Sequence, residues 1–195
     1  MRRDLVSSVL GIVVLTIVLG LAYPLVVTGI GQVAFPDKAN GSLIKVDGRV
    51  VGSKLIAQNF KRNPRFFQER PSTATNYSAA GSAFTNLGPN SKAARETFKK
   101  NLAAYLGLER PYNPGLSAGN VPIDAVTSSA SGIDPQISVT NARIQAHRVA
   151  KVRGLPLPTV DKLVDNYTDG RFIGVFGERG VNVLQLNLAL DALQS

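Results

Sequence analysis

The chain has 195 residues, no cysteine, a single histidine, and 22 Lys and Arg against 13 Asp and Glu, a formal charge of +9 at pH 7. Without cysteine there are no disulfides, thiolate nucleophiles or Cys-ligated metals, and one histidine rules out a His-based metal cluster. The length accommodates a membrane segment and one compact domain, and the basic balance admits nucleic acid or anionic lipid as partners.

No charged residue occurs from Leu5 to Pro36. A bilayer core of about 30 Å needs roughly 20 helical residues at 1.5 Å each, so one crossing fits with residues to spare. A signal peptide would share Arg2, Arg3 and the small-x-small sequence Gly20-Leu21-Ala22. Its apolar region, however, runs only about 7–15 residues, and here the chain stays apolar beyond Ala22. An uncleaved anchor is the expectation. Arg2 and Arg3 keep the amino terminus cytoplasmic and send the rest outside. The expected organisation is α+β: a cytoplasmic tip and transmembrane helix over residues 1–36, then a single mixed α/β extracytoplasmic domain over 37–195. That places a single-pass chain in the inner (plasma) membrane with its domain on the periplasmic side.

Within the anchor, Pro24 lacks a backbone donor and clashes with the carbonyl four residues back, so a kink or altered pitch is expected near Gly20 to Tyr23. Thr28, Gly29, Gly31 and Gln32 make the outer end small and weakly polar. Such a face lets another helix approach closely and hydrogen-bond across the contact, and it is read as a subunit-packing face in the membrane. Phe35-Pro36-Asp37 closes the helix. Two β-rich runs, Ser42 to Val46 and Arg49 to Gly52, flank Asp47-Gly48, the signal of a hairpin with a type I′ turn.

Asn59 to Asn90 is rich in Ser, Thr, Asn, Gly and Pro, yet carries Phe60, Phe66, Phe67, Tyr77 and Phe84. Disordered linkers are poor in aromatics, so this reads as an ordered long loop held by aromatic anchors. Asn90 or Ser91 caps a helix with the stripe Ala94, Phe98, Leu102 and Tyr105, stopped by Gly107. A second helix spans Val139 to Arg153, capped by Ser138 and ended by Gly154. A third carries Val160, Leu163, Val164 and Tyr167, begins at the prolines 156 and 158, and ends at Gly170. Phe172 to Phe176 reads as a strand. Asn182 and Gln185 form a variant capping box for a last helix with Leu186, Leu190 and Leu193.

Chemistry-bearing constellations are sparse. His147 falls within a helical segment and is expected at the surface. Ser128, Ser129 and Ser131 lack the G-x-S-x-G elbow and suit a turn with backbone-bonding hydroxyls. No phosphate-cradling glycine loop occurs. Asp161 and Asp165, one helical turn apart, are expected on a solvated face. Beyond Asp4 there are 20 Lys and Arg against 12 Asp and Glu, a balance of +8 without a run of five cations. Two other classes remain open: an anchored serine hydrolase using His147, and an anchored polyanion-binding domain.

Seven segments in order carry a resemblance: "YPLVVTGIGQVAFPDKANGSL" from Tyr23, "VGSKLIAQNF" from Val51, "FFQERPSTA" from Phe66, "TNLGPNS" from Thr85, "SSASGIDPQIS" from Ser128, "RVAKVRGL" from Arg148 and "VNVLQLNLALD" from Val181. Together they make the chain resemble the potassium-transporting ATPase C subunit, the Kdp C chain, over nearly its whole length. The resemblance implies an accessory, non-catalytic subunit of a high-affinity, ATP-driven potassium uptake pump. Its implied partners are a channel-like potassium-binding A subunit, a P-type ATPase B subunit and a small F peptide, together with membrane lipid and without nucleic acid. It implies a catalytic chaperone that raises the ATP affinity of the ATPase subunit, with no tightly bound cofactor and no metal. Gln145, in the Q-x-x-R-V-A-K segment, is the nucleotide contact that the resemblance implies. The charge-based orientation puts Gln145 outside, away from cytoplasmic ATP, and that topology is weighted above direct contact.

Overall fold

The computed structural model describes residues 1–72, 77, 85–88, 90–171 and 173–194. The chain divides into two compact units, Met1–Ser53 and Lys54–Ser195.

The first unit opens with α1 (Arg2–Leu15), a π-helical segment (Thr16–Ala22) and α2 (Tyr23–Ala34), continuous over 33 residues. At 1.5 Å per residue this is roughly 50 Å of helix, longer than a bilayer core. Its apolar side chains point outward along its length, and none of its residues is buried in the chain. The altered pitch expected before Pro24 is present: the Tyr23 N–H donates to the Val18 carbonyl five residues back. That longer loop opens the turn against which the proline ring would press. Past Phe35 a single helical turn, α3 (Pro36–Ala39), follows, and then the hairpin of β1 (Leu43–Val46) and β2 (Arg49–Ser53). Asp47 and Gly48 both take positive φ, 50° and 76°, as the primed turn requires. A register shift between Ile44 and Lys45 leaves a bulge opposite them.

In the second unit, α4 (Lys92–Glu109), α5 (Val139–Arg153), α6 (Leu157–Asn166) and α7 (Val183–Ala192) assemble with a three-stranded antiparallel sheet in the order β3 (Gln136–Ser138), β5 (Gly180–Asn182), β4 (Thr168–Asp169). Ser91, Ser138 and Asn182 cap α4, α5 and α7 through side-chain oxygens, as their residue types predict. Gly154 ends α5 in the left-handed region at φ 68°, with the Leu155 N–H returning to the Ala150 carbonyl.

Three expectations are corrected. Helix α4 passes through Gly107 to Glu109, because an isolated glycine weakens a helix without ending it, and the turn around Pro111 follows instead. Helix α6 stops at Asn166 rather than Gly170, because Thr168 and Asp169 pair with β5. The strand expected at Phe172–Phe176 is instead a turn over 173–175 followed by a single bridge residue, Phe176, with Ile173 and Gly174 at positive φ; Phe172 lies outside the described residues. The strand at the sheet's centre is Gly180–Asn182, which alternation in so short a run does not reveal.

The core gathers Ile137, Ala142, Ala146, Val149, Val160, Val164, Val181, Val183, Leu186 and Leu190 around one loop residue, Phe67. The alanines of α5 let its apolar face sit close to its neighbours. A second, adjacent face is also buried, and it is polar: Asn141, Gln145 and Arg148. This second face holds the long loop. Arg148 donates through one terminal nitrogen to the Pro64 and Phe66 carbonyls, through Nε to Glu109 Oε1 at 2.9 Å and through the other terminal nitrogen to Gln145 Oε1 at 3.0 Å. Arg148 and Glu109 are both 0 % exposed. Arg153 donates to the Arg65 carbonyl at 2.7 Å and stacks on the Phe66 ring at 5.0 Å. The Asn187 amide accepts from the Phe67 N–H and donates to its carbonyl. The ordered, aromatic-anchored loop is thus seen over 59–72, while Phe84 lies outside the described residues.

Replacing Arg148 with Met strips two part-buried carbonyls and one buried carboxylate of their donor, so the solubilised chain should lose about 3–5 kcal/mol of stability in urea unfolding. Glu109→Gln keeps the shape but leaves the buried Arg148 charge without its anion, and should destabilise by a comparable amount.

Candidate functional site

Gln145 sits one helical turn from Arg148 on the polar face of α5 and is 1 % exposed. Its Oε1 accepts from the Gln68 N–H at 2.7 Å and from Arg148, and its Nε2 donates to the Gln68 carbonyl at 3.1 Å and to Asn141 Oδ1 at 3.0 Å. A side-chain amide has two donors and two acceptor sites, so every one is occupied within the chain. Asn141 in turn accepts from the Tyr105 hydroxyl at 2.9 Å and donates to Asp124, which also accepts from the Ser138 hydroxyl. The network joins α4, α5 and the loop.

Against it lies an open cleft of about 260 Å³ whose wall includes Gln58, Phe60, Gln68, Glu69, Asn101 and Tyr105. Glu69 is 9 % exposed, and neither of its carboxylate oxygens meets a donor at bonding geometry among the described residues. Burial pushes its carboxyl well above the usual range, opposed by the nearby Gln58 backbone amide and reinforced by the charge of Asp134. Asp134 itself is engaged by Arg70 at 3.3 Å. The Tyr77 hydroxyl, which donates to the Arg70 carbonyl, is pushed up to about 12, first by burial and then by Glu69. Burial likewise raises Glu109, with the Arg148 guanidinium pulling it back.

The remaining candidates are dispersed. His147 is exposed on α5, in a hollow with Asn113, Thr140, Arg143 and Ile144 but no serine among its described lining residues. The hydroxyls of Ser129 and Ser131 accept from the backbone of Gly132, Ile133 and Asp134, as a turn requires. Asp161 and Asp165 flank Arg143 at 3.5 and 2.7 Å, so the face expected to be merely solvated carries a bridged ion pair. No group of three or more metal-ligating side chains occurs among the described residues. In the first unit, Thr28 and Gly29 are exposed, and a Cβ added at Gly29 would meet nothing within 4 Å. A Cβ added at Gly31 would meet the Ala39 methyl at 4.0 Å, and the Gln32 amide pairs reciprocally with that of Asn40 at 3.3 and 3.1 Å. Sequence reasoning missed Glu69, Glu109 and the amide clamp of Asn187. Their residue types carry no periodic or spacing signal, and only their burial sets them apart.

A carboxyl raised in the folded state holds its proton to higher pH than in the unfolded chain. Stability is therefore complete below about pH 4.3 and falls as pH rises through the folded-state value. Glu69→Gln should match wild type near pH 4 and melt several degrees higher, roughly 4 °C or more, at pH 7.5. Thermal unfolding across that range, each variant against wild type, checks it.

The sequence matches the profile of the family described as "KdpC: K+-transporting ATPase, c chain" over residues 5–192. Among similar proteins, the potassium-transporting ATPase KdpC subunit of Methylococcus capsulatus (strain Bath) is 49 % identical over 189 residues, covering 96 % of each chain. That of Caldanaerobacter subterraneus subsp. tengcongensis is 47 % identical over 190 residues, 97 % of this chain and 95 % of the relative. That of Mycobacterium tuberculosis (strain H37Rv) is 45 % identical over 194 residues, 99 % and 100 % respectively. Identity at this level and coverage, together with a profile match spanning the long apolar helix and the domain, shows that the chain belongs to the KdpC family, the c chain of the potassium-transporting ATPase.

Proposed function

We propose that the chain is an accessory, non-catalytic component of an ATP-driven potassium uptake pump, held by one membrane-spanning helix with its domain outside the cell membrane. The observation that carries this reading is the 33-residue apolar helix, wholly unburied within the chain, on a protein of the KdpC family. A helix with no partner of its own and a small-residue face at one end suits lateral association with other membrane helices. Thr28, Gly29 and Gly31 form that face; Gln32 steadies the turn that leaves the membrane through Asn40. The A, B and F subunits of the same pump are the proposed partners.

Two features support a bracing role in which nucleotide is not held directly. Gln145 has no free hydrogen-bonding position, so a direct ATP contact would require releasing Gln68 from the core. Several cations of the basic domain are also committed internally, among them Arg70, Arg143, Arg148 and Arg153. A chaperone effect on ATP affinity would then pass through subunit contacts. A domain placed over the channel-like subunit's outer mouth would turn neutral or acidic loops inward, since cations facing the entrance repel potassium.

Gly29→Leu disturbs nothing inside this chain, so its effect reports on a neighbour. It should lower the yield of co-purifying pump subunits roughly fivefold, the equivalent of about 1 kcal/mol; unchanged stoichiometry and potassium-stimulated ATP hydrolysis would remove the packing face. Externally added protease should degrade the domain in intact spheroplasts, and protection of the domain would reverse the orientation.

A further inference from the structure

Asn40 is the one asparagine in the chain that glycine follows. Asparagine is among the chemically labile residues, and glycine after it adds to the lability: without a Cβ, Gly41 leaves its own backbone nitrogen open to approach the side-chain amide carbon. The dipeptide stands at the end of α3, past the uncharged helix, and Asn40 is exposed, so water reaches it.

Left free, the pair reacts in two steps. The Gly41 nitrogen bonds to the Asn40 Cγ, the Cγ–Nδ2 bond breaks, and Nδ2 leaves as ammonia with the proton that Gly41 gives up, closing a five-membered imide. Water then opens one of the two ring carbon–nitrogen bonds, leaving an aspartyl or a β-linked isoaspartyl group at position 40. The balance needs only water.

In the structure each reacting atom is tied elsewhere. Asn40 Nδ2 donates to Gln32 Oε1 at 3.1 Å and to the Pro36 carbonyl at 2.7 Å, and Asn40 Oδ1 accepts from Gln32 Nε2 at 3.3 Å. The Gly41 N–H, whose nitrogen would attack, donates to the Lys38 carbonyl at 3.1 Å. Ring closure needs a ψ of about −120° at Asn40, outside the regions open to most L-residues, whereas Asn40 holds ψ at 19°.

We propose that Asn40 is a site of spontaneous deamidation and that its amide pair with Gln32 is the latch that keeps it shut. The latch joins the last turn of α2 to the end of α3, so it holds only while the helix exit keeps its shape. The product cannot restore it. A carboxylate has no proton to donate to Gln32 or to the Pro36 carbonyl. A β-linked residue also adds a backbone carbon, which displaces Gly41, whose carbonyl accepts from Ser53 Oγ at 2.6 Å. Conversion therefore marks the joint between helix and hairpin permanently. The inference uses only residues 32–53 and stands apart from the pump reading.

The test incubates the full chain in detergent micelles at mildly alkaline pH, beside the same chain unfolded in guanidinium chloride. Tryptic digestion releases Ala39–Lys45, which contains no other amide side chain, and mass spectrometry follows its aspartyl and isoaspartyl forms. The unfolded chain should convert at Asn40 before its other asparagines, and the folded chain roughly a hundredfold more slowly. Gln32→Ala removes two of the four hydrogen bonds named above and should speed conversion in the folded chain roughly tenfold. A folded chain that converts as fast as the unfolded one would overturn the proposal, as would Gln32→Ala converting at the wild-type rate, or an unfolded chain that converts first elsewhere. Acceleration by Gln32→Ala that spreads to the other asparagines would mean general loosening, and would overturn the latch as well.

Discussion

A main chain buried outside helix or sheet must find partners for its polar groups one by one. The segment Pro64 to Gln68 is the place where this chain meets that demand, and the domain is arranged around it. All five of its carbonyls accept from side chains: Pro64 and Phe66 from Arg148, Arg65 from Arg153, Phe67 from Asn187 and Gln68 from Gln145. Two of its amides are gripped as well, by Asn187 and Gln145. The helices α5 and α7 thus act on this loop as neighbouring strands would, through amide and guanidinium groups in place of backbone.

The arrangement explains why α5 is polar on a face that never meets water. An arginine suits the role because its planar fork donates in several fixed directions, reaching two carbonyls, one carboxylate and one amide at once. Its charge then needs an anion, and Glu109 supplies it from the last turn of α4. The pair therefore locks α4, α5 and the loop into a single arrangement. Among the described residues, one Glu109 oxygen and both Glu69 oxygens meet no donor at bonding geometry. The clamp is complete for the main chain while the carboxylates beside it remain under-partnered, and so the stability of this domain is tied to pH.

A rigid domain leaves recognition to what stands free of it. In the first unit the helix with its open Gly29 is the proposed contact surface; in the second, exposed apolar residues lie in the β4–β5 loop beside the buried central strand. Both are poor in charge and rich in exposed apolar or small surface, whereas Arg148 and Arg153 are buried as ties and most other arginines are exposed. Apolar contacts would fix a subunit's attitude in a complex better than a diffuse basic field, which salt screens within about 10 Å.

The amino-acid sequence by itself determined the elements whose signals are local. The uncharged run to Pro36, the altered pitch before Pro24, the Asp47-Gly48 turn, the Ser138 and Asn182 caps and the Gly154 stop each depend on a few adjacent residues. Each is where those residues place it. The family, too, was legible, because it is written in short segments that keep their order. What only the tertiary structure decided is everything that depends on pairing across long separations. Strand β5 is three residues long and exists because β3 and β4 lie on either side of it. Phe172 to Phe176 has the composition of a strand, but residues 173–175 turn and Phe176 makes only a single bridge, with Ile173 and Gly174 at positive φ. Gln145 reads as a polar residue available to a ligand until Gln68, 77 positions away, is seen to occupy it. Propensity and capping act through neighbours along the chain; burial and partnership are properties of the assembled interior.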